Sequence, residues 1–309
     1  MNHPRVLIVG SGLLGSTLNK MFLQKEFLTK ITMRHDTTEK NIAISYLKDN
    51  FKKNLLLNNG VICNTLNDYE KVVNDFKPKW AIITIPEPSD DLLNFLLLID
   101  DCKTIYISSP ASDEAKNSQN KYPYGMSKLT HERLVNKCGQ IALQIGFIPE
   151  IGFVDDTVIP SGLSLKTMLT CNLISCIDDK NVKELDDKHK EFLDEYLSKF
   201  DTTSGFVCTS IKNIFNFCCD LMTGKTKYPN ELIGRTIAMH SSQVWFRHQI
   251  IGAIANPSFQ NPNIDFPIIT KPVKEFKQGF ENYYDVKHED ILIAIRESGD
   301  LFKKNESEL

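Results

Sequence analysis

The stretch RVLIVGSGLLG, residues 5–15, decides how the rest of the chain is read. Arg5 to Val9 form a short run that is apolar on both faces after its first residue, which is the mark of a strand covered on two sides. Gly10, Gly12 and Gly15 follow at GxGxxG spacing, and the apolar residues of LLGSTLNKMFLQ (13–24) then recur at helical intervals. Between strand and helix each glycine has a task. Gly10 permits a tight turn, Gly12 lets the backbone approach a pyrophosphate, and Gly15 lets the helix pack close on the strand. The helix start adds free N–H groups and positive potential. A dinucleotide site is therefore expected at Gly10, Gly12, Leu13, Leu14 and Gly15.

Outward from this loop, strand-like runs alternate with helical segments. TKITMR (29–34), GVICNTL (60–66), WAIITIP (80–86), KTIYISS (103–109) and QIALQIGF (140–147) predict a Rossmann-like doubly wound α/β domain over residues 1–160. Residues 161–309 read as a smaller α/β substrate lobe, with segments near 205–255 returning to the first domain. SIKNIFNFCCDLMTG (210–224) predicts an amphipathic helix ended by Gly224. SSQVWFRHQIIGAIA (241–255) predicts another, capped by Ser241 or Ser242 and stopped before Pro257; it would hold Trp245 and Phe246 on a core face.

The 309 residues include 36 Lys and Arg and 39 Asp and Glu, a formal charge of -3 with no dense basic tract. Neither nucleic acid nor a membrane is expected as a partner. The eight cysteines contain no CxxC pair, so no metal site is expected, and they read as buried thiols of a cytoplasmic protein.

Cofactor choice should lie at the end of the second strand, where an acid binds ribose hydroxyls and an Arg binds a 2'-phosphate. Arg34 stands closer to that strand end than Asp36, which points to NADP, with NAD as the alternative. Ile85 and Pro86 after the fourth strand, and Phe147 and Ile148 after the sixth, would line the cofactor.

Tyr124 and Lys128 share one helix face at i and i+4 in YPYGMSKLTHERL (122–134). A cation beside the phenol would favour phenolate and suit it to acid–base work. The same spacing recurs at Tyr283 and Lys287, outside the first domain, and is read there as chance. Ser109, closing the fifth strand before Pro110, could donate to a substrate oxygen.

Together, the glycine loop, YISS and YGMSKLTHE resemble the extended short-chain dehydrogenase/reductase family. The likeness is to its nucleotide-sugar branch and, within that, to dTDP-4-dehydrorhamnose reductases. FKPKWAIITIP (76–86) and IALQIGFIPE (141–150) resemble that branch's fourth and sixth strands. The resemblance implies a catalytic Ser109, Tyr124 and Lys128, with Lys128 also holding the nicotinamide ribose. It implies a nucleotide-sugar substrate and a homodimer through helices such as the one carrying Tyr124. The chain departs from the family at TIPEP and at Gln144, where an Arg is common. Ser112, Asp113 and Glu114 are similar to the hydroxyl-Asp-Glu run of sugar dehydratases, displaced beyond the strand end. Arg235 and Arg247, with His240 and Lys271, are the cations to examine for substrate phosphates.

The leading expectation is a 4-keto sugar reductase. A nucleotide-sugar epimerase or dehydratase of the same fold is the alternative, and a non-catalytic NAD(P)-binding regulatory protein is the alternative of another class.

Overall fold

The computed structural model describes residues 4–34, 59–117, 123–146, 148, 205–225, 234–241, 244–246, 283–286, 290, 291 and 293. The strand of the glycine loop, β1 (Arg5–Val9), leads into α1 (Leu13–Gln24), β2 (Leu28–Met33) and β3 (Gly60–Ile62). There follow α2 (Leu66–Phe76), β4 (Trp80–Ile83), α3 (Asp90–Leu97), β5 (Lys103–Ser108), α4 (Ala111–Asn117), α5 (Pro123–Lys137) and β6 (Ile141–Ile145). Beyond them come β7 (Gly205–Val207), α6 (Ile211–Met222), β8 (Thr236–Ser241), β9 (Val244–Phe246) and β10 (Tyr283–Val286).

Eight strands form one parallel sheet in the order β3-β2-β1-β4-β5-β6-β8-β10. The chain builds outward from β1 through β2 to β3, then returns to the other side of β1 at β4. Such a reversal opens a crevice at the C-terminal ends of β1 and β4. The expected doubly wound architecture is present, and β8 and β10 return to the sheet from the second half.

Alternation along the strands divides the core in two. Val6 and Ile8 point to one face with Ile105, Ile107, Leu143 and Ile237, where α1 and α6 cover them through Phe22 and Phe215, ring centroids 4.9 Å apart. Leu7 and Val9 point to the other with Ile83 and Tyr106, covered by Tyr69 of α2, Leu92 and Leu96 of α3, and Val135 of α5. A buried amide pair, Asn19 Nδ2 to Asn59 Oδ1 at 3.0 Å with the reciprocal bond at 2.8 Å, ties α1 to the approach of β3.

Local signals account for the element ends. Thr65 and Asp68 form a capping box at the start of α2, Ser89 caps α3, and Ser210 caps α6. Gly224, at φ +70°, stands just past α6 as expected.

In the described part of the helix expected over 241–255, no helix forms. Ser241 closes β8, and Val244–Phe246 pair antiparallel with β7. Val-Trp-Phe has strong strand propensity, and pairing with β7 satisfies its backbone where a helix would have had to rely on a weak apolar stripe. Residues 247–282 lie outside the described residues, as do the boundary at residue 160 and most of the expected lobe.

Cys63, Cys102, Cys138, Cys208, Cys218 and Cys219 are free thiols. No group of metal-ligating side chains is found among the described residues, and no described helix is long and apolar enough to cross a membrane.

Candidate active site

The crevice at β1 and β4 is built by the three glycines and two threonines. Gly10 takes φ +112°, and a Cβ there would meet Thr84 Oγ1 at 2.8 Å and Ile85 at 2.9 Å. A Cβ on Gly15 would stand 2.0 Å from the Gly10 carbonyl oxygen, so α1 packs on the turn only because no side chain intervenes. Thr84 Oγ1 contacts the carbonyl oxygens of Val9 and Gly10, both at 3.1 Å, which fastens the loop to β4. Thr32 Oγ1 accepts from Gly10 N at 3.2 Å and clamps it to β2.

Gly12 is different. It is exposed, and a Cβ there would meet nothing within 4 Å. Gly12 is also the N-cap of α1 and has no side-chain cap, and the helix has no acidic residue in its first turn. The N–H groups of Leu13 and Leu14 thus begin a helix whose open side matches an anionic group. This arrangement fits a dinucleotide pyrophosphate.

Arg34 follows β2 and is exposed. It lies near the Tyr69 phenol, which burial pushes above its ordinary pKa while Thr32 and, more weakly, Arg34 lower it. Asp36 lies outside the described residues. Ile85 packs beside the glycine loop, and the Pro86 carbonyl accepts from the Tyr106 hydroxyl at 3.4 Å. Ile148 is 6% exposed within the α1–α6 core, and Phe147 lies outside the described residues.

Ser109 and Tyr124 converge beyond the C-terminal end of β5. The strand ends one residue earlier than expected, at Ser108, leaving Ser109 in the turn, where its Oγ accepts from Ala111 N at 3.3 Å. The Ser109 hydroxyl stands near enough to the Tyr124 phenol to lower its pKa. Tyr124 stands in the first turn of α5 and is 39% exposed, so a substrate oxygen can reach it.

Lys128 occupies the same helix face but serves Tyr124 differently from expectation. Only 2% exposed, its Nζ donates to Tyr106 Oη at 3.1 Å and to the Ile107 carbonyl at 3.0 Å. It lies 5.7 Å from the Tyr124 ring centroid. The Tyr124 phenol is held above its ordinary pKa, chiefly by burial, with Ser109 lowering it and Glu87 raising it. The expected lowering by Lys128 is therefore not found in this state, because the ammonium is directed at β5. Burial brings Lys128 itself down to about 8, with Glu132 and Glu87 opposing the change.

Beneath this pair lies a buried polar network. Ser108 Oγ donates to Glu132 Oε1, Ser112 Oγ donates to the same oxygen at 2.7 Å, and Gln144 Nε2 reaches Ser112 Oγ at 2.8 Å and Glu132 Oε1 at 3.2 Å. Burial raises the Glu132 carboxyl while these donors lower it. Gln144 fills the position expected to carry Arg, so the carboxylate is met by neutral donors. Asp113 is raised chiefly by burial, and its Oδ2 is buried without a hydrogen-bond partner, whereas Glu114 is exposed.

Arg235 does not join the site. It precedes β8, where its carbonyl accepts from Ala142 N at 3.1 Å near the start of β6, and the length of the sheet separates it from the C-terminal edge. Arg247 and Lys271 lie outside the described residues, and His240 is buried in β8. Tyr283 sits in β10, at the edge of the sheet among the described residues, and Lys287 lies outside them.

Thr84, Tyr106 and His131 escaped the sequence reading. A signal existed for His131: Lys128, His131 and Glu132 stand at i, i+3 and i+4, on the stripe that also buries Gly125, Leu129 and Val135.

No family model matches the chain. No curated protein matches its sequence. Solved structures do match. The dTDP-glucose 4,6-dehydratase of Bacillus anthracis, in complex with NAD, is similar at a TM-score of 0.54 and 11% identity over 98% of each chain. The UDP-glucuronic acid 4-epimerase of Bacillus cereus with NAD gives 0.54 and 14%, over 97% of this chain and 99% of its own. The UDP-glucose 4-epimerase of Thermus thermophilus with NAD gives 0.56 and 14% with the same coverage. At these identities the likeness establishes a shared Rossmann-type fold and no more.

Proposed function

We propose that the protein is an NAD-dependent oxidoreductase of the short-chain dehydrogenase/reductase type, acting on a nucleotide-linked sugar, and that its reaction is epimerisation at a sugar carbon. The observation that carries this reading is the Ser109–Tyr124 hydroxyl pair. It is set beyond the C-terminal edge of β5, one strand from a glycine crevice left open at Gly12.

The NAD-bound structures of this fold support the substrate class, since two of them are nucleotide-sugar 4-epimerases and one a 4,6-dehydratase. They support epimerisation more than the 4-keto reduction expected from the sequence. NAD is favoured over NADP because the structurally similar enzymes were solved with NAD. A homodimer through α5 belongs to the same reading.

Gly10, Gly12, Leu13, Leu14 and Gly15 would hold the pyrophosphate. When bound, oxidised nicotinamide would supply a hydride acceptor for the sugar carbon and positive charge in the pocket. Ser109 orients the sugar oxygen, and Tyr124 takes its proton on oxidation and returns it on reduction. Lys128, buried and cationic, favours the phenolate electrostatically once charge develops there.

With NAD and a panel of UDP- and dTDP-hexoses, an epimer should accumulate with no net change in nicotinamide. Tyr124→Phe should lose turnover by about 100-fold or more while binding the cofactor normally. Undiminished turnover would remove Tyr124 from its role.

A second reading, a cofactor-binding regulatory protein without turnover, draws on the raised Tyr124 phenol and on Lys128 being directed at Tyr106. Cofactor binding with no product across the panel would favour it.

A further inference from the structure

Ser109 lies one residue past the end of β5 and is followed by Pro110, which has no N–H to offer the sheet. Its Oγ accepts from Ala111 N within the turn itself, at 3.3 Å. The place of the Ser109 hydroxyl is therefore set by what ties the turn down on either side. Both ties run to one carboxylate oxygen. Ser108 Oγ, just before the turn, donates to Glu132 Oε1, and Ser112 Oγ, just after it, stands 2.7 Å from the same atom. Ser112 N also donates to the Ser109 carbonyl at 3.1 Å. We propose that Ser112 and Glu132 are positioning residues, a clasp that sets the Ser109 hydroxyl beside the Tyr124 phenol.

Glu132 can serve this purpose because it shares a rigid element with Tyr124. The two stand eight residues apart on α5, about 12 Å along the helix axis. A turn fixed to Glu132 is thereby fixed relative to Tyr124. Ser112 is fully buried, so it acts through Ser109 and does not itself meet a substrate.

The hydrogen bonds of the clasp have a definite sense. The Ser112 hydroxyl has a single hydrogen and two acceptors in reach, Glu132 Oε1 at 2.7 Å and the Ser109 carbonyl at 3.0 Å. The shorter contact, to the charged oxygen, takes it. Gln144 Nε2 donates to Ser112 Oγ at 2.8 Å and so orients the hydroxyl from the β6 side. Ser108, Ser112 and Gln144 together oppose the rise that burial imposes on the Glu132 carboxyl.

The make-up of the cluster suits placement better than stability. Glu132 is 5% exposed and faces neutral donors, while Asp113 Oδ2 and Gln144 Oε1 are buried without a hydrogen-bond partner. Such groups cost stability, and apolar side chains would pack α4 on α5 at less cost. Apolar contact is non-directional, however, whereas hydrogen bonds to a single oxygen fix the turn in both distance and direction.

The catalytic use of this placement rests on the proposed enzymatic reading, but the placement itself can be read without substrate. In protein carrying tyrosine labelled with carbon-13 at Cζ, the Tyr124 resonance at neutral pH reports what its hydroxyl meets. Ser109→Ala should displace this resonance. Ser112→Ala should displace it in the same direction and at least half as far, and the double variant should go no further than Ser109→Ala alone. Glu132→Gln keeps the shape and removes the charge that the hydroxyls answer; it should act in the same way and serves if Ser112→Ala fails to fold. In turnover of the nucleotide-sugar panel, Ser112→Ala should lose about tenfold in kcat with KM and NAD affinity unchanged. A Tyr124 resonance that stays in place in any of the single variants, additive displacement in the double variant, or an undiminished kcat in Ser112→Ala overturns the clasp. Displaced resonances in a protein that turns over no sugar would instead count against the enzymatic reading alone.

Discussion

Lys128 carries the energetic signature of a site residue. Its ordinary value of 10.5 falls to about 8 on burial, so the folded state binds its proton less tightly than the unfolded chain does. The resulting penalty is complete below about 8 and fades as pH rises through 8 towards 10.5. The gap corresponds to on the order of 3 kcal/mol at neutral pH. Lys128→Met should therefore stabilise the fold at pH 7 by about 2 kcal/mol, once the lost bond to the Ile107 carbonyl is allowed for. The gain should shrink in alkaline buffer while turnover is lost at every pH. Urea unfolding at two pH values measures it; destabilisation at pH 7 would show that the ammonium is structural. At this scale the sequence was informative where spacing implied contact and silent where contact crossed elements. Tyr124 and Lys128 could be paired on one helix, and Ser109 placed at a strand end. Tyr106 looked like one more apolar strand residue, because its hydroxyl acquires meaning only when β5 meets α5 and α3.

At the scale of elements, the glycine loop separates packing from binding. Gly15 and Gly12 look alike in GxGxxG, yet a Cβ on the first would strike the Gly10 carbonyl at 2.0 Å and a Cβ on the second would strike nothing. Gly15→Ala should lower the melting temperature markedly, since backbone cannot yield as a side chain can. Gly12→Ala should melt normally but bind NAD about tenfold or more weakly, because the methyl occupies the side open to the pyrophosphate. Calorimetry of unfolding and a cofactor titration on both variants check the contrast, and equal effects would refute it. The elements of the first half were legible because strand, loop and helix follow one another in strong local patterns. The 241–255 segment was misread because Val244, Trp245 and Phe246 satisfy a helical stripe in sequence, and only the presence of β7 alongside makes them a strand.

For the molecule as a whole, the order of β-rich and helical segments was enough to give a doubly wound sheet, since parallel strands joined by helices leave few topologies. The return of β8 and β10 to the far edge rests on long-range pairing, with β10 lying 42 residues beyond the end of β8, and no local pattern encodes that. The choice of reaction is likewise non-local, since epimerisation, reduction and dehydration differ in what surrounds Tyr124 more than in Tyr124 itself. The measurement that reaches the central claim most directly uses a nucleotide-linked hexose deuterated at the reacting carbon, with the protein and NAD. The label should pass transiently to the nicotinamide and return to the same carbon in the epimer. A sugar that keeps its label and configuration while the cofactor stays oxidised, for every hexose offered, would contradict the account.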